Sequence, residues 1–360
     1  MEKKKKTLEN FFLRFQRVTL NEKIFFTKNL VVMIRAGIPL SEAVGILSSQ
    51  TKNKKFRKIL KDIKADIEGG ISLAKSISKY PDVFPEIFVN MIECGEQSGQ
   101  LEKVLEELTN QMKRSRALAS KLKRALAYPL FVIFIMIVVG IFALTFILPK
   151  ITSILEEMNV ELPLTTKILI GLSKFVTKRG YFLLIALVIF AYLFYRFSKT
   201  KKGKYFLDSL ILKLPIIGGL IKKINLIKFS RTFTSLLASG VPLVKTFQIT
   251  STVLSNSLYQ EKVLSLSQFT SKGVTISSVL KKYPDLFPLI ITHVIEIGER
   301  TGTLETILGD VIEFYEDDVD ETLTNFTSII EPLLIVILGI AVAIMALAII
   351  SPMYSLVQTI

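Results

Sequence analysis

Tyr80-Pro81-Asp82-Val83-Phe84-Pro85 recurs as Tyr283-Pro284-Asp285-Leu286-Phe287-Pro288, a shift of 203 residues (Pro81 to Pro284) in a chain of 360. The same shift carries Gly37-Ile38-Pro39-Leu40 onto Gly240-Val241-Pro242-Leu243 and Gly70 onto Gly273. It also carries Glu93, Gly95, Glu96, Gly99 and Leu101 onto Glu296, Gly298, Glu299, Gly302 and Leu304. Pro129 and Pro149 fall on Pro332 and Pro352, at the edges of two long apolar runs. A unit this long is a duplicated domain, because solenoid and propeller repeats are shorter. Each copy is a polar helical domain joined directly to an apolar segment.

Half of the residues are hydrophobic, yet 21% are charged, which is too many for a wholly buried bundle. The apolar residues are concentrated instead. Residues 127–148 and 333–360 contain no charged side chain, and each run exceeds the roughly 20 residues a helix needs to cross a bilayer. A shorter run, 181–197, joins them if Arg196 is an end anchor reaching the interface. The fold class expected is therefore an all-α membrane protein, with two duplicated helical-bundle domains and three transmembrane helices.

Lys113, Arg114, Arg116, Lys121, Lys123 and Arg124 precede the first run. Arg196, Lys199, Lys201, Lys202, Lys204 and Lys213 follow the second. Lys and Arg collect on the cytoplasmic side, so both flanks are expected there. The duplication gives the same answer independently. Two equivalent domains entering equivalent spans in one direction need an odd number of spans between them, and 181–197 supplies one. The expected order is a basic amphipathic or disordered stretch at 1–20, a cytoplasmic helical domain at 21–126 and a span at 127–148. A short extracytoplasmic loop at 149–180, a second span at 181–197, and a basic connector with a second helical domain at 198–330 follow. A third span at 331–352 and an extracytoplasmic tail at 353–360 complete it. Residues 1–23 are basic, and Arg14 and Arg17 interrupt their apolar residues, so no signal peptide is expected.

Within each copy, strong punctuation separates the helices. Asn21 or Glu22 opens a helix through Ile24, Phe25, Leu30, Val31 and Ile34, and Gly37 closes it. Pro39 suits the first turn of the next helix. Asn53 caps a third helix bearing Phe56, Ile59, Leu60, Ile63 and Ile67 on one face, ended by Gly69-Gly70. Ser72 opens a short helix, and another runs from Pro85 to a stop at Ser98-Gly99. Leu101, Leu105, Leu108 and Met112 then recur at four-three-four spacing, continued by Ala119, Leu122 and Leu126. That stripe either packs within its own domain or forms a seam with a second copy of the chain. Because no breaker intervenes before Pro129, this helix is expected to run from the domain into the first span.

No phosphate loop, HExxH helix or GxSxG elbow occurs. No catalytic residue, metal ligand or cofactor site is expected. Cys94 is the only cysteine and pairs with Ile297 in the repeat, which favours an apolar buried role. The only histidine, His293, pairs with Asn90 and reads as structural. The net charge of +15 does not point to nucleic acid, since the basic residues gather beside the spans, where lipid head groups attract them. Glu93 and Glu96, with Glu296 and Glu299, are paired carboxylates held at equal spacing in both copies. Three apart on a helix, they share a face. That face is either a solvated or capping surface, or an acidic patch binding a partner or a cation. Glu331, beside Pro332 at the start of the last span, either meets a positive charge on a partner or sits solvated at head-group level. Acidic residues Glu313, Glu316, Asp317, Asp318, Asp320 and Glu321 stand where the first copy is basic. Either the two copies recognise each other there, or both are solvated helix faces.

At these residues the chain resembles the type II secretion protein F family. The matching elements are Gly37-x-Pro39-Leu40, Phe84-Pro85 and Glu93-x-Gly95-Glu96-x-x-Gly99-x-Leu101. Their second copies are Gly240-x-Pro242-Leu243, Phe287-Pro288 and Glu296-x-Gly298-Glu299-x-x-Gly302-x-Leu304. The resemblance implies a non-enzymatic platform in the cytoplasmic (inner) membrane, built from cytoplasmic six-helix bundles that self-associate. It also implies coupling of a cytoplasmic hexameric ATPase to pilin or pseudopilin polymerisation, among other inner-membrane components of the machine. A repeat-built transporter is the rival class, but it needs more spans and polar mid-membrane positions. A membrane-bound enzyme needs a site that the sequence does not show.

Overall fold

The computed structural model describes residues 16–150 and 164–357. The expectations for residues 1–15, for 151–163 of the loop and for the last three residues lie outside these. Among the described residues all regular structure is helical. The first copy contributes α1 (Leu20–Arg35), α2 (Leu40–Gln50), α3 (Lys54–Glu68), α4 (Leu73–Ile77), α5 (Glu86–Gln97) and α6 (Leu101–Phe142). After a π-helical turn at Ala143–Ile147 come α7 (Leu164–Lys199) and α8 (Lys201–Lys213). The second copy contributes α9 (Ile217–Ala238), α10 (Leu243–Val253), α11 (Ser257–Thr270), α12 (Ile276–Leu280), α13 (Leu289–Thr301) and α14 (Leu304–Val357).

The helices group into two compact units. One joins Met1–Ser120 with Asp208–Val319, so the polar helices of both copies share it; the other joins Lys121–Leu207 with Asp320–Ile360. In the first unit each copy is centred on an aromatic trio. Phe26, Phe56 and Phe84 meet at centroid distances of 5.7–6.2 Å. Their repeat-mates are Phe229, Tyr259 and Phe287, where Phe287 lies edge-on to Phe229 at 5.8 Å and to Tyr259 at 5.4 Å. The added hydroxyl of Tyr259 donates to the Leu286 carbonyl at 2.6 Å, which removes the cost of burying it. Burial raises its pKa.

The local signals account for most helix ends. Asn53 and Ser72 cap α3 and α4, accepting from the Phe56 and Lys75 amides. The start of α1 differs from the expectation. Thr19, not Asn21 or Glu22, is the cap, in a reciprocal box whose other half is Glu22. Pro39 and Pro242 stand one residue before the first turn, as caps with φ of −54° and −56°. Pro85 and Pro288 do the same for α5 and α13. A proline loses nothing there, because its carbonyl accepts the first helical bond and no donor is needed. The buried face of α1 also differs. Phe26 is 2% exposed and Phe25 48% exposed. The α1 core face is therefore Ile24, Phe26, Thr27, Leu30 and Val31.

In the second unit, α6 passes through Pro129 without ending. The described residues hold two helices long and apolar enough to cross a membrane, Leu101–Lys150 and Leu304–Ile344. A third is present if the bent pair Ser173–Phe182 and Ile185–Lys199, at 57°, counts as one span. Of the stretch expected as an extracytoplasmic loop, 149–180, the residues from Leu164 onward are helical and belong to α7. They are helical because apolar residues recur around Ile170, which is buried, and α7 packs on the π-turn of α6. There Ser173 donates to the Leu144 carbonyl at 2.6 Å, supplying a partner where the π geometry disturbs the helical ladder.

Candidate functional site

The strongest repeated motif is the α5–α6 corner and its α13–α14 counterpart. Gly99 and Gly302 take positive φ, 69° and 73°, where an L side chain is strained. The amides that follow, Gln100 and Thr303, close back on the Gly95 and Gly298 carbonyls at 2.8 and 3.0 Å, a Schellman-type end. Gly95 and Gly298 also lie where the next helix crosses. A Cβ on Gly95 would stand 3.1 Å from Val104 Cβ and 3.2 Å from Leu101 Cα; on Gly298 it would stand 2.9 Å from Leu304 Cδ2 and 3.1 Å from Leu304 Cα.

Glu96 and Glu299 face inward to the short helices. Glu96 accepts from the Leu73 and Ala74 amides at 2.6 and 3.0 Å, and Glu299 accepts from the Ile276 and Ser277 amides. Each carboxylate therefore satisfies two free N–H groups at a helix start and lies at the favourable end of its dipole. Thr275 makes no side-chain cap on α12, whereas Ser72 does on α4. We expect Glu299→Ala to cost about 2 kcal/mol and Glu96→Ala somewhat less, read from denaturant unfolding of the detergent-solubilised protein.

Glu93 and Glu296 do not share that role. Glu93 pairs with Lys245 of α10 at 3.3 Å, joining the two copies. Glu296 pairs with Lys281 and Arg300 of its own copy at 2.7 and 3.0 Å. The hydrogen bond from Lys281 holds the Glu296 carboxyl below the usual range. The four glutamates thus do not converge on one patch. Among the described residues, no group of three or more His, Cys, Asp or Glu is placed to hold a metal ion.

The join between the copies runs through α5, α6, α9 and α10. α10 packs on α5, and Leu236, Val241 and Ile249 of the second copy belong to the core of the first. Ser235 donates to Glu107 at 2.6 Å and Gln111 to Thr232 at 3.4 Å. α9 is consequently buried on several sides, and Arg231 is buried with it, paired with Glu316. Burial lowers the Arg231 pKa to about 10, so it remains charged at neutral pH. Lys223 pairs with Asp318 at 2.6 Å, also from α9 to α14. Glu316 and Asp318 of the acidic run thus meet cations of their own copy, and Lys113, Arg114 and Arg116 are exposed. Asp320 of the same run pairs with Lys121 of the first copy.

The stripe on α6 divides. Leu105 and Leu108 are buried and Leu101 and Met112 pack beside them, whereas Ala119 and Leu126 are exposed. Cys94 is half-buried, and its thiol pKa is raised by burial; its mate Ile297 is exposed, so the two positions differ in environment. His293 is exposed, while its mate Asn90 is buried with its amide on the Glu86 carbonyl at 2.8 Å. Glu331 lies exposed on α14.

Comparison with known proteins reflects the same duplication. The family profile described as "Type II secretion system (T2SS), protein F" matches residues 26–149 and again residues 229–352. A type IV pilus assembly protein PilC of Thermus thermophilus is 34% identical over 340 residues, covering 94% of this chain and 84% of the relative. The protein of the same name from Pseudomonas aeruginosa is 30% identical, covering 92% and 88%. A type II secretion system protein F of Aeromonas hydrophila is 28% identical, covering 99% and 91%. With two successive matches spanning more than half of its length, each containing one copy of the glycine–glutamate corner, the chain belongs to the type II secretion system protein F family.

Proposed function

We propose that this chain is the inner-membrane platform of a type IV pilus or type II secretion machine. In this reading it couples a cytoplasmic assembly ATPase to pilin or pseudopilin polymerisation. Its relatives carry the names of pilus-assembly and secretion components, not of enzymes. The proposed topology has an internal amino terminus, three spans and an external carboxyl terminus, with two six-helix domains in the cytoplasm. The observation that carries the coupling is helix continuity. α6 begins at the Gly99 corner as a polar helix and becomes apolar without a break, and α14 repeats this from Gly302.

An uninterrupted helix transmits a tilt or rotation that a flexible linker would absorb. Replacing Ser115 and Arg116 together by glycine lowers helix propensity by about 1 kcal/mol at exposed positions, so the protein should still fold and insert. We expect fibre assembly or secretion to be lost in this variant; unchanged piliation would remove the coupling role. Among the glutamates singled out from the sequence, we assign Glu331 to partner contact, opposite a cation on a pilin or a neighbouring platform subunit. Glu96 and Glu299 already serve α4 and α12, and Glu93 and Glu296 already have cationic partners.

A further inference from the structure

We infer that α8 lies in the plane of the membrane surface as an anchor on anionic lipid, with Phe206 and Leu210 toward the acyl chains and its lysines at the head groups. A tight corner sets α8 off from α7. Only Thr200 separates Lys199 from Lys201. The Thr200 hydroxyl accepts from the Gly203 amide at 3.0 Å, and its carbonyl accepts from the Lys204 amide at 2.8 Å. A Cβ on Gly203 would run into the Phe197 carbonyl, so the turn needs a residue without one. In the three-span reading above, on which this inference rests, the corner stands at the cytoplasmic head groups. Tyr192, Tyr195, Arg196 and Lys199 end α7, and aromatic and basic residues of this kind mark an interface. The Lys199 ammonium lies over the Tyr195 ring, 5.4 Å from its centroid.

The roll of α8 is fixed from its other side. The Asp208 carboxylate accepts from the Ser257 amide at 2.8 Å, and its carbonyl accepts from the Asn256 side chain at 3.1 Å, at the start of α11. With about 100° of turn per residue, Phe206 and Leu210 lie roughly 160° away from Asp208, on the opposite face. They are 60% and 49% exposed. By the same turn Lys202 and Lys213 lie beside Phe206, at about 120° and 140° from Asp208. Both are exposed, as are Lys201 and Lys204. Asp208 is the only acidic residue of α8, so the outward face carries no negative charge. An apolar stripe beside lysines is the pattern of a helix lying in a membrane surface. Arg196, Lys199, Lys201, Lys202, Lys204 and Lys213 also form one basic cluster just inside a span, and clusters of about four to eight attract anionic lipid. Phe206 stands no more than about 10 Å of helix beyond Lys199, so the bilayer is the nearest apolar phase. The turn after α8 is apolar and exposed as well, at Leu214, Ile216 and Ile217.

Quenching by labelled lipid, with the full-length chain reconstituted in vesicles, tests this. In a Cys94→Ser background, Phe206→Cys and Leu210→Cys each carry an environment-sensitive NBD label. Glu261→Cys, exposed on α11, and Val188→Cys, exposed within α7, are the references. In phosphatidylcholine vesicles containing phosphatidylglycerol, doxyl-labelled lipid should quench the labels at Phe206 and Leu210 and leave the one at Glu261 unchanged. Lys201→Gln, Lys202→Gln and Lys204→Gln together should remove about half or more of that quenching, because the attraction to anionic lipid grows with each lysine. Vesicles of phosphatidylcholine alone should do the same, and neither change should alter the label at Val188. Labels at Phe206 and Leu210 no more quenched than Glu261 would overturn the anchor, whether water or a protein covers that face. Equal quenching with and without phosphatidylglycerol would overturn the assignment to anionic lipid. An unquenched label at Val188 would remove the α7 span and the anchor with it, whereas quenching at Val188 alone leaves the span standing and sinks the anchor. The platform role is read separately, from piliation.

Discussion

Alanine at Phe84 or at Phe287 is expected to destabilise the protein by about 3–5 kcal/mol, which is the usual cost of removing a buried aromatic ring from a packed core. Each ring closes an aromatic trio on α1 or α9 and on α3 or α11, and each is essentially inaccessible. Denaturant unfolding in detergent, followed by circular dichroism, should show the loss in both variants. Phe25→Ala is the control: its ring is 48% exposed, and a change within about 0.5 kcal/mol is expected. Equal losses at Phe25 and Phe84 would contradict the assigned face of α1.

Valine at Gly95 or Gly298 should cost about 1–3 kcal/mol by overpacking. At Gly298 the first added carbon already stands 2.9 Å from Leu304 Cδ2 and 3.1 Å from its Cα, so a rotamer change relieves only the first clash. The helices must separate, and α13 would then pull Glu299 from the α12 amides. Gly298→Val combined with Leu304→Ala should therefore recover only part of the loss. Full recovery would mean that the Leu304 side chain alone, and not the α14 backbone, sets the spacing. Limited proteolysis of the polar helices provides a second readout, with faster cleavage expected between α12 and α13.

Much of the fold was legible because its signals are local. Asn53 and Ser72 act on amides within one turn, and the positive φ of Gly99 and Gly302 is a property of the residue itself. The 203-residue repeat made each signal count twice, as Pro85 and Pro288 show. The misplaced features depend on partners farther away. Phe25 and Phe26 are adjacent and alike, and only the position of α3 and the Phe84 turn decides which ring is inside. Glu93 and Glu96 share a helix face by spacing, but their ends go to α10 and α4. That residues 164–180 are helical was hidden by Lys167, Lys174, Lys178 and Arg179, which mask an apolar periodicity that packs on the π-turn.

By itself the sequence determined the duplication, the helical class, the apolar runs and the residues of the α5–α6 corner. Periodicity, backbone freedom and chain chemistry act over a few residues and survive in any copy. Only the tertiary structure decided that one copy's α9–α10 face covers the other's α5–α6 face, leaving the equivalent faces bare. Two copies of one motif cannot reveal which of them is covered, since burial depends on the neighbour, and the neighbour is set by packing across the whole unit.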